Sequence, residues 1–382
     1  MRSIRSCAGW NKLTTSSPPA AVRPAATTRA NNFGALRLVL AYLVLLSHSP
    51  ELVDGNRSRE LLTRVFGTVS FGELAVNCFF IISGYLITSS FLSSASGFEY
   101  LTKRVLRIYP GYIVAFVLCV FVLAPWVGGT TDRAYHGLFS RDSLVANIAL
   151  LNLPEAPGAF ARLHFPLNGS AWTIRYEFMA YLLVLALGLL GLLKNRRLIL
   201  AATIILLGAT MLLPYAVSLG VPAAWTSCVW SFTTEMRFLL MFASGALFYL
   251  FRERIVYRVS YAVIATIGLC ALLLSNRTAQ ASIATFGAYL VFYLAFEARS
   301  RWLAGIGQRN DLSYGIYLYA WPVQASLVWF YPAISPWWMF AAACVGASLL
   351  GWISWLAVEK PAIRLSFFLR SRGHRRSPPG RA

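Results

Sequence analysis

The sequence predicts an all-α, polytopic integral membrane protein with about ten transmembrane helices and both termini in the cytoplasm. Three observations carry that expectation. Apolar runs close to the roughly 20 residues that span a bilayer recur along the chain. Hydrophobic residues make up 58% of the 382 and charged residues 13%, and the mean hydropathy of +0.60 exceeds what one soluble core of this size requires. The basic residues gather in short clusters between the runs, as topology signals do. The net charge of +20 is therefore not laid along one surface, which argues against a nucleic-acid partner.

In chain order the apolar segments are 34–52, 71–93, 109–128, 171–193, 198–218, 231–251, 259–275, 281–297, 312–332 and 337–358. With the N-terminus inside, the cytoplasmic loops collect Lys103, Arg104 and Arg107, then Lys194, Arg196 and Arg197, then Arg252, Arg254 and Arg258, then Arg299, Arg301 and Arg309. The outside loops hold a thinner scatter: Arg57, Arg59, Arg64, Arg133, Arg141, Arg162 and Arg277. The positive-inside rule reads that asymmetry as an even number of crossings. The stretch SLVANIALLNL at 143–153 is too short to span and reads as re-entrant or interfacial. Residues 1–32, basic and without an acidic residue, read as a disordered tail, 33–364 as the membrane domain, and 365–382 as a basic cytoplasmic tail. Six cysteines are scattered without paired spacing, so neither a disulfide framework nor a metal site is expected.

Polar groups inside the apolar segments stand out because the bilayer tolerates them poorly. Arg37 and His48 lie eleven residues apart in the first segment. Eleven helical steps return to within about 20° of the same face and advance about 16 Å, so both share one stripe. In the second segment Asn77, Ser83 and Gly84 read either as close helix contact or as the lining of a cavity beside His48. Arg104 and Arg107, three apart before Pro110, read as lipid anchors or as a phosphate clamp. The entrance PLNGSAWTIRYEFMAYLL is the densest in hydrogen-bonding groups, with Asn168, Ser170, Trp172, Thr173, Arg175, Glu177 and Tyr181. Glu177 and Tyr181, at i and i+4, share a face, and Arg175 points elsewhere. Glu235 and Arg237 form a second charged patch, expected to pair with the fourth segment. Near the C-terminus, DLSYGIYLYAWPVQ carries Tyr319 and a kink at Pro322, and Glu359-Lys360-Pro361 marks a helix stop.

Together and in order, the Arg37-to-His48 spacing, AVNCFFIISGYLIT, KRVLRIYPGY, GSAWTIRYEF, SYGIYLYAWPVQ and VEKPAIR resemble the membrane acyltransferase-3 family, from Phe33 to Arg364. The resemblance implies a ten-helix core, acyl-CoA (most often acetyl-CoA) as cytoplasmic co-substrate with no metal, and a hydroxyl of a glycan or glycolipid as acceptor near the opposite face. His48 falls on the family's essential histidine and Arg37 on its partner arginine. Arg104 and Arg107 fall on the basic motif, so all three arginines are expected to hold acyl-CoA. Trp172 and Glu177 fall on the family's tryptophan and glutamate, with His48 and Glu177 expected in catalysis.

Asn77, Ser83, Trp172, Arg175, Tyr181 and Tyr319 are the expected substrate contacts, with Glu177 and Trp172 in the outer half and Arg37 at the cytoplasmic mouth. Three positions depart from the family pattern: Gly34 and Asn77 stand where an acidic residue is common, and Ala320 where histidine is frequent. A histidine suits acyl transfer as general base or as nucleophile. Ten helices with polar midplane residues also describe a transporter or flippase of a lipid-linked sugar or small metabolite. The expected location is a bacterial inner membrane.

Overall fold

The computed structural model describes residues 31–128, 140–149, 151, 159–218, 226–297, 305–307 and 310–365. Nearly all of both expected tails, part of the 143–153 stretch, and Arg133, Arg299, Arg301 and Arg309 lie outside the described residues. Among those described, all regular structure is helical. The helices are α1 Phe33–Asp54, α2 Leu61–Phe66, α3 Phe71–Leu92, α4 Gly97–Trp126, α5 Arg141–Leu144, α6 Trp172–Leu189, α7 Arg196–Ser218, α8 Thr226–Leu250, α9 Val259–Leu273, α10 Ala279–Glu297, α11 Ser313–Phe330 and α12 Pro336–Leu365. Each apolar segment falls on a helix, and among the described residues six helices, α1, α3, α4, α6, α10 and α12, are long and apolar enough to cross a membrane.

Local chemistry fixes the helix starts. Ser70 accepts the amide N–H of Glu73 at 3.1 Å, and Ser96 that of Glu99 at 3.1 Å. Glu99 also accepts the Ala95 amide N–H at 3.0 Å, one residue before the cap. That cap starts α4 at Gly97, so the basic stretch KRVLRIY, expected as a loop before the span, forms its opening turns. α1 ends at Gly55, whose φ of 70° is the left-handed cap that glycine adopts without strain. Within α11, Pro322 has no N–H for the carbonyl of Leu318, four residues back. Asn168 donates to that carbonyl from Nδ2 at 2.9 Å and so ties the 166–170 segment to α11.

Small residues let helices touch at the backbone. A Cβ on Gly84 would lie 1.9 Å from the Phe242 carbonyl oxygen, and one on Gly245 would lie 1.9 Å from that of Ile81. α3 and α8 are thereby fused face to face, with Phe80 stacked on Phe238 at 4.3 Å. This contact corrects one expectation: Arg237 on α8 pairs with Glu73 on α3, not with the fourth apolar segment, because α3 is the helix it is pressed against. Gly84→Val forces two backbones apart, which no side-chain rotation relieves, at a cost of about 3 kcal/mol. The thermal midpoint of the detergent-solubilised protein should fall, whereas an unchanged midpoint would show that the helices separate without penalty.

Candidate active site

The polar residues collect at two ends of the helix bundle, with a cavity between. At one end, α1 presents His48, whose side chain is 13% exposed. Its Nδ1 donates to Glu51 Oε2 at 2.7 Å, one helical turn on. A carboxylate only accepts, so Nδ1 carries a hydrogen, and in the neutral imidazole the lone pair is on Nε2. Arg57 Nη2 donates to the same Glu51 oxygen at 2.8 Å, while its Nη1 reaches Ser70 Oγ at 3.0 Å. The imidazole also meets the ring of Trp321 edge-on at 5.0 Å. Trp321 donates from Nε1 to the Pro166 carbonyl at 2.9 Å, and its ring occupies the space a Cβ on Gly169 would take, at 2.5 Å. The LNGSAW segment thus builds the wall behind the histidine.

At the other end, Arg37 Nη1 and Arg107 Nη2 both donate to Asp311 Oδ2 at 2.6 Å. Arg107 Nη1 also lies 3.4 Å from Glu359 Oε2, and Ser354 donates to Glu359 Oε1 at 3.2 Å. Burial by itself raises the Asp311 carboxyl, but Arg37, Arg107 and the hydrogen bonds from Ser313 together hold it down at about 2. Arg104 differs. Its Nη2 contacts Ser90 Oγ at 3.3 Å, its guanidinium lies 5.9 Å from the Tyr100 ring and 5.8 Å from the Tyr181 ring, and its buried Nε has no partner.

Between the ends lies a narrow cavity of about 40 Å³, lined by Arg37, Ser83, Thr173, Glu177, Tyr314 and Tyr317 among others. Glu177 Oε1 accepts from Ser83 Oγ at 2.8 Å and from Tyr181 OH at 2.5 Å. The expectation that Glu177 and Tyr181 orient one another across one turn matches this geometry. Arg37 and Glu177, expected in opposite halves, line the same cavity, because Glu177 sits more than a turn inside α6 and the long Arg37 side chain reaches inward. His48 and Trp172 are not among its lining residues.

The remaining expected contacts are dispersed. Trp172 is 37% exposed and packs beside Phe238 at 5.5 Å and Tyr176 at 5.8 Å. Arg175 is exposed on α6. Asn77 is fully buried and donates to Gln280 Oε1 at 3.0 Å. Tyr319 is buried and lines a separate apolar groove with Leu118, Val122 and Phe330. Sequence reasoning missed the carboxylates that hold the cations: Glu51, Asp311 and Glu359. For Glu51 a signal existed in its i,i+3 spacing from His48. Gly34 also gains a reason, since a Cβ there would lie 2.4 Å from the Ile306 carbonyl oxygen, leaving no room for an acidic side chain.

A multi-pass helical membrane protein with an oriented imidazole near one end and a guanidinium cluster at the other has the parts of a membrane enzyme. The acyltransferase-3 family model, described as an acyltransferase domain, matches residues 31–356. The chain belongs to this family, and it is an acyltransferase. It is similar to an O-acetyl transferase of Shigella phage Sf6, 28% identical over 342 residues, covering 87% of this chain and 96% of that one. It is also similar to nodulation protein 10 of Rhizobium leguminosarum bv. viciae, 25% identical over 377 residues, covering 90% and 95% respectively. No solved structure matches it.

Proposed function

We propose that this enzyme transfers an acetyl group from cytoplasmic acetyl-CoA to a hydroxyl of a glycan or glycolipid, in a bacterial inner membrane that its ten apolar segments cross with both termini inside. The observation that carries the reading is the His48–Glu51 bond, which makes Nε2 the basic nitrogen of the neutral imidazole. Nε2 takes the hydroxyl proton as the acceptor oxygen attacks the thioester carbonyl. The carbon–sulfur bond then breaks, and the imidazolium returns the proton to the departing CoA thiolate. Glu51, fixed by Arg57, stabilises the imidazolium without accepting its proton.

The relative named O-acetyl transferase supports acetyl as the group and oxygen as the acceptor atom. In this orientation the arginine end faces the cytoplasm. Arg37 and Arg107 are neutralised by Asp311 and Glu359, and Arg37 lines the cavity, along which the pantetheine arm passes beside Glu177. Among the described residues Arg104 meets no carboxylate, and it takes a CoA phosphate. Arg104→Ala should therefore raise the KM for acetyl-CoA about tenfold, equivalent to about 1.4 kcal/mol, with kcat nearly unchanged.

The test is the purified protein in liposomes with labelled acetyl-CoA and a glycolipid extract. Label in the glycolipid fraction supports the reading. Movement of sugar across the bilayer with the thioester intact would establish the transporter instead.

A further inference from the structure

Four side chains from three helices form a polar cluster that the proton-transfer scheme does not use. Arg237 on α8 donates through Nη1 to Glu73 Oε1 on α3. Gln280 on α10 donates from Nε2 to that same oxygen at 2.8 Å, and accepts from Asn77 Nδ2 at 3.0 Å. The bonds converge on Glu73 Oε1, while the Arg237 and Glu73 side chains stay 19% and 24% exposed and so can be reached by a ligand. Asn77 is fully enclosed and holds Gln280 from behind.

The surroundings indicate what the exposed charges meet. The Arg237 guanidinium lies 4.7 Å from the Phe238 ring, and Phe238 packs 5.5 Å from the half-open ring of Trp172. A flat aromatic face beside a paired carboxylate and guanidinium suits a pyranose: its apolar C–H face lies on the indole, and its hydroxyls, each donor and acceptor at once, meet both charges. Since Glu73 and Arg237 cancel, the cluster favours a neutral sugar over a charged one. It is also close to the chemistry. Ser70 accepts the Glu73 amide and the Arg57 guanidinium together, and Arg57 holds the Glu51 that orients His48. Gly72 packs on Ser47, where a Cβ would lie 2.9 Å from the hydroxyl oxygen, so the residues next to His48 and Glu73 touch.

We infer that Glu73, Arg237 and Gln280, the last held by Asn77, form beside Trp172 the binding site for a neutral hexose unit of the acceptor, presenting its hydroxyl toward His48. This rests on the acetyl-transfer reading above. The experiment uses reconstituted enzyme, labelled acetyl-CoA and a series of octyl glycosides (glucoside, mannoside, galactoside and N-acetylglucosaminide) as acceptors. For Glu73→Gln and Gln280→Ala, the acceptor KM should rise about tenfold or more, with kcat at saturating acceptor and the KM for acetyl-CoA within about twofold of the parent.

An unchanged acceptor KM overturns the inference. So does a parallel fall of all parameters with the melting midpoint, which marks a purely structural network, or thioester cleavage with none of the glycosides acetylated. If the parent enzyme neither cleaves nor transfers from acetyl-CoA, it is the acetyl-transfer reading that fails.

Discussion

His48→Ala should abolish measurable acetyl transfer, a loss of about 10² to 10⁴-fold for a general base, while the protein still inserts and elutes as a single species in detergent. The imidazole is held by one carboxylate on Nδ1 and one aromatic edge, so its removal opens little packing. Radiolabel incorporation into glycolipid measures the effect, and size-exclusion elution controls for folding. Near-parental transfer by the alanine variant would remove His48 from the mechanism. The parent enzyme distinguishes base from nucleophile: a base leaves no labelled protein after rapid denaturation in detergent near neutral pH, whereas an acid-labile acyl-imidazole is trapped there and is absent from the alanine variant.

Asp311→Ala should be the most destabilising single change at the arginine end. Arg37 and Arg107 share this carboxylate at 2.6 Å each, and neither guanidinium is free in solvent, with side chains 23% and 15% exposed. Removing one partner of such a group leaves uncompensated charge and costs about 3 to 5 kcal/mol. The variant should melt markedly earlier or fail to accumulate, and Asp311→Asn should be intermediate because the amide oxygen still accepts one bond. The pH dependence has a definite sign. Asp311 titrates lower in the folded protein, about 2 against 3.8, so its stabilisation is complete above roughly pH 4 and is lost as pH falls toward 2. Melting curves at pH 7 and at pH 3 should differ for the parent more than for Asp311→Asn; an equal acid shift in both would exclude this carboxylate as the cause.

The helices were legible because a membrane span is written locally, in about twenty consecutive apolar residues, and caps such as Ser96 with Glu99 lie within one turn. Pairings between helices were not. Arg37 meets Asp311 across 274 residues and Arg107 meets Glu359 across 252, and a single sequence carries no signal at that range. Arg237 shows the same limit, since nothing local distinguishes Glu73 on α3 from an acceptor on α6. Within the site, the Glu177–Tyr181 pair was readable from i,i+4 spacing. The Glu51 partner of His48 was equally local, three residues on within the expected 34–52 segment, but i,i+3 spacing alone does not assign it to the histidine rather than to solvent or to Arg57.

The glycine contact between α3 and α8 has a consequence for how such an enzyme diversifies. Glu73 and Arg237 ride on two backbones in direct contact, so their spacing is as rigid as a single element, and exchanging either residue breaks a pair. Gln280 on α10 and Trp172 on α6 stand outside that fused slab. Adaptation to a different sugar is therefore channelled through α6 and α10, and libraries aimed at a new acceptor should vary those two positions while leaving α3 and α8 untouched.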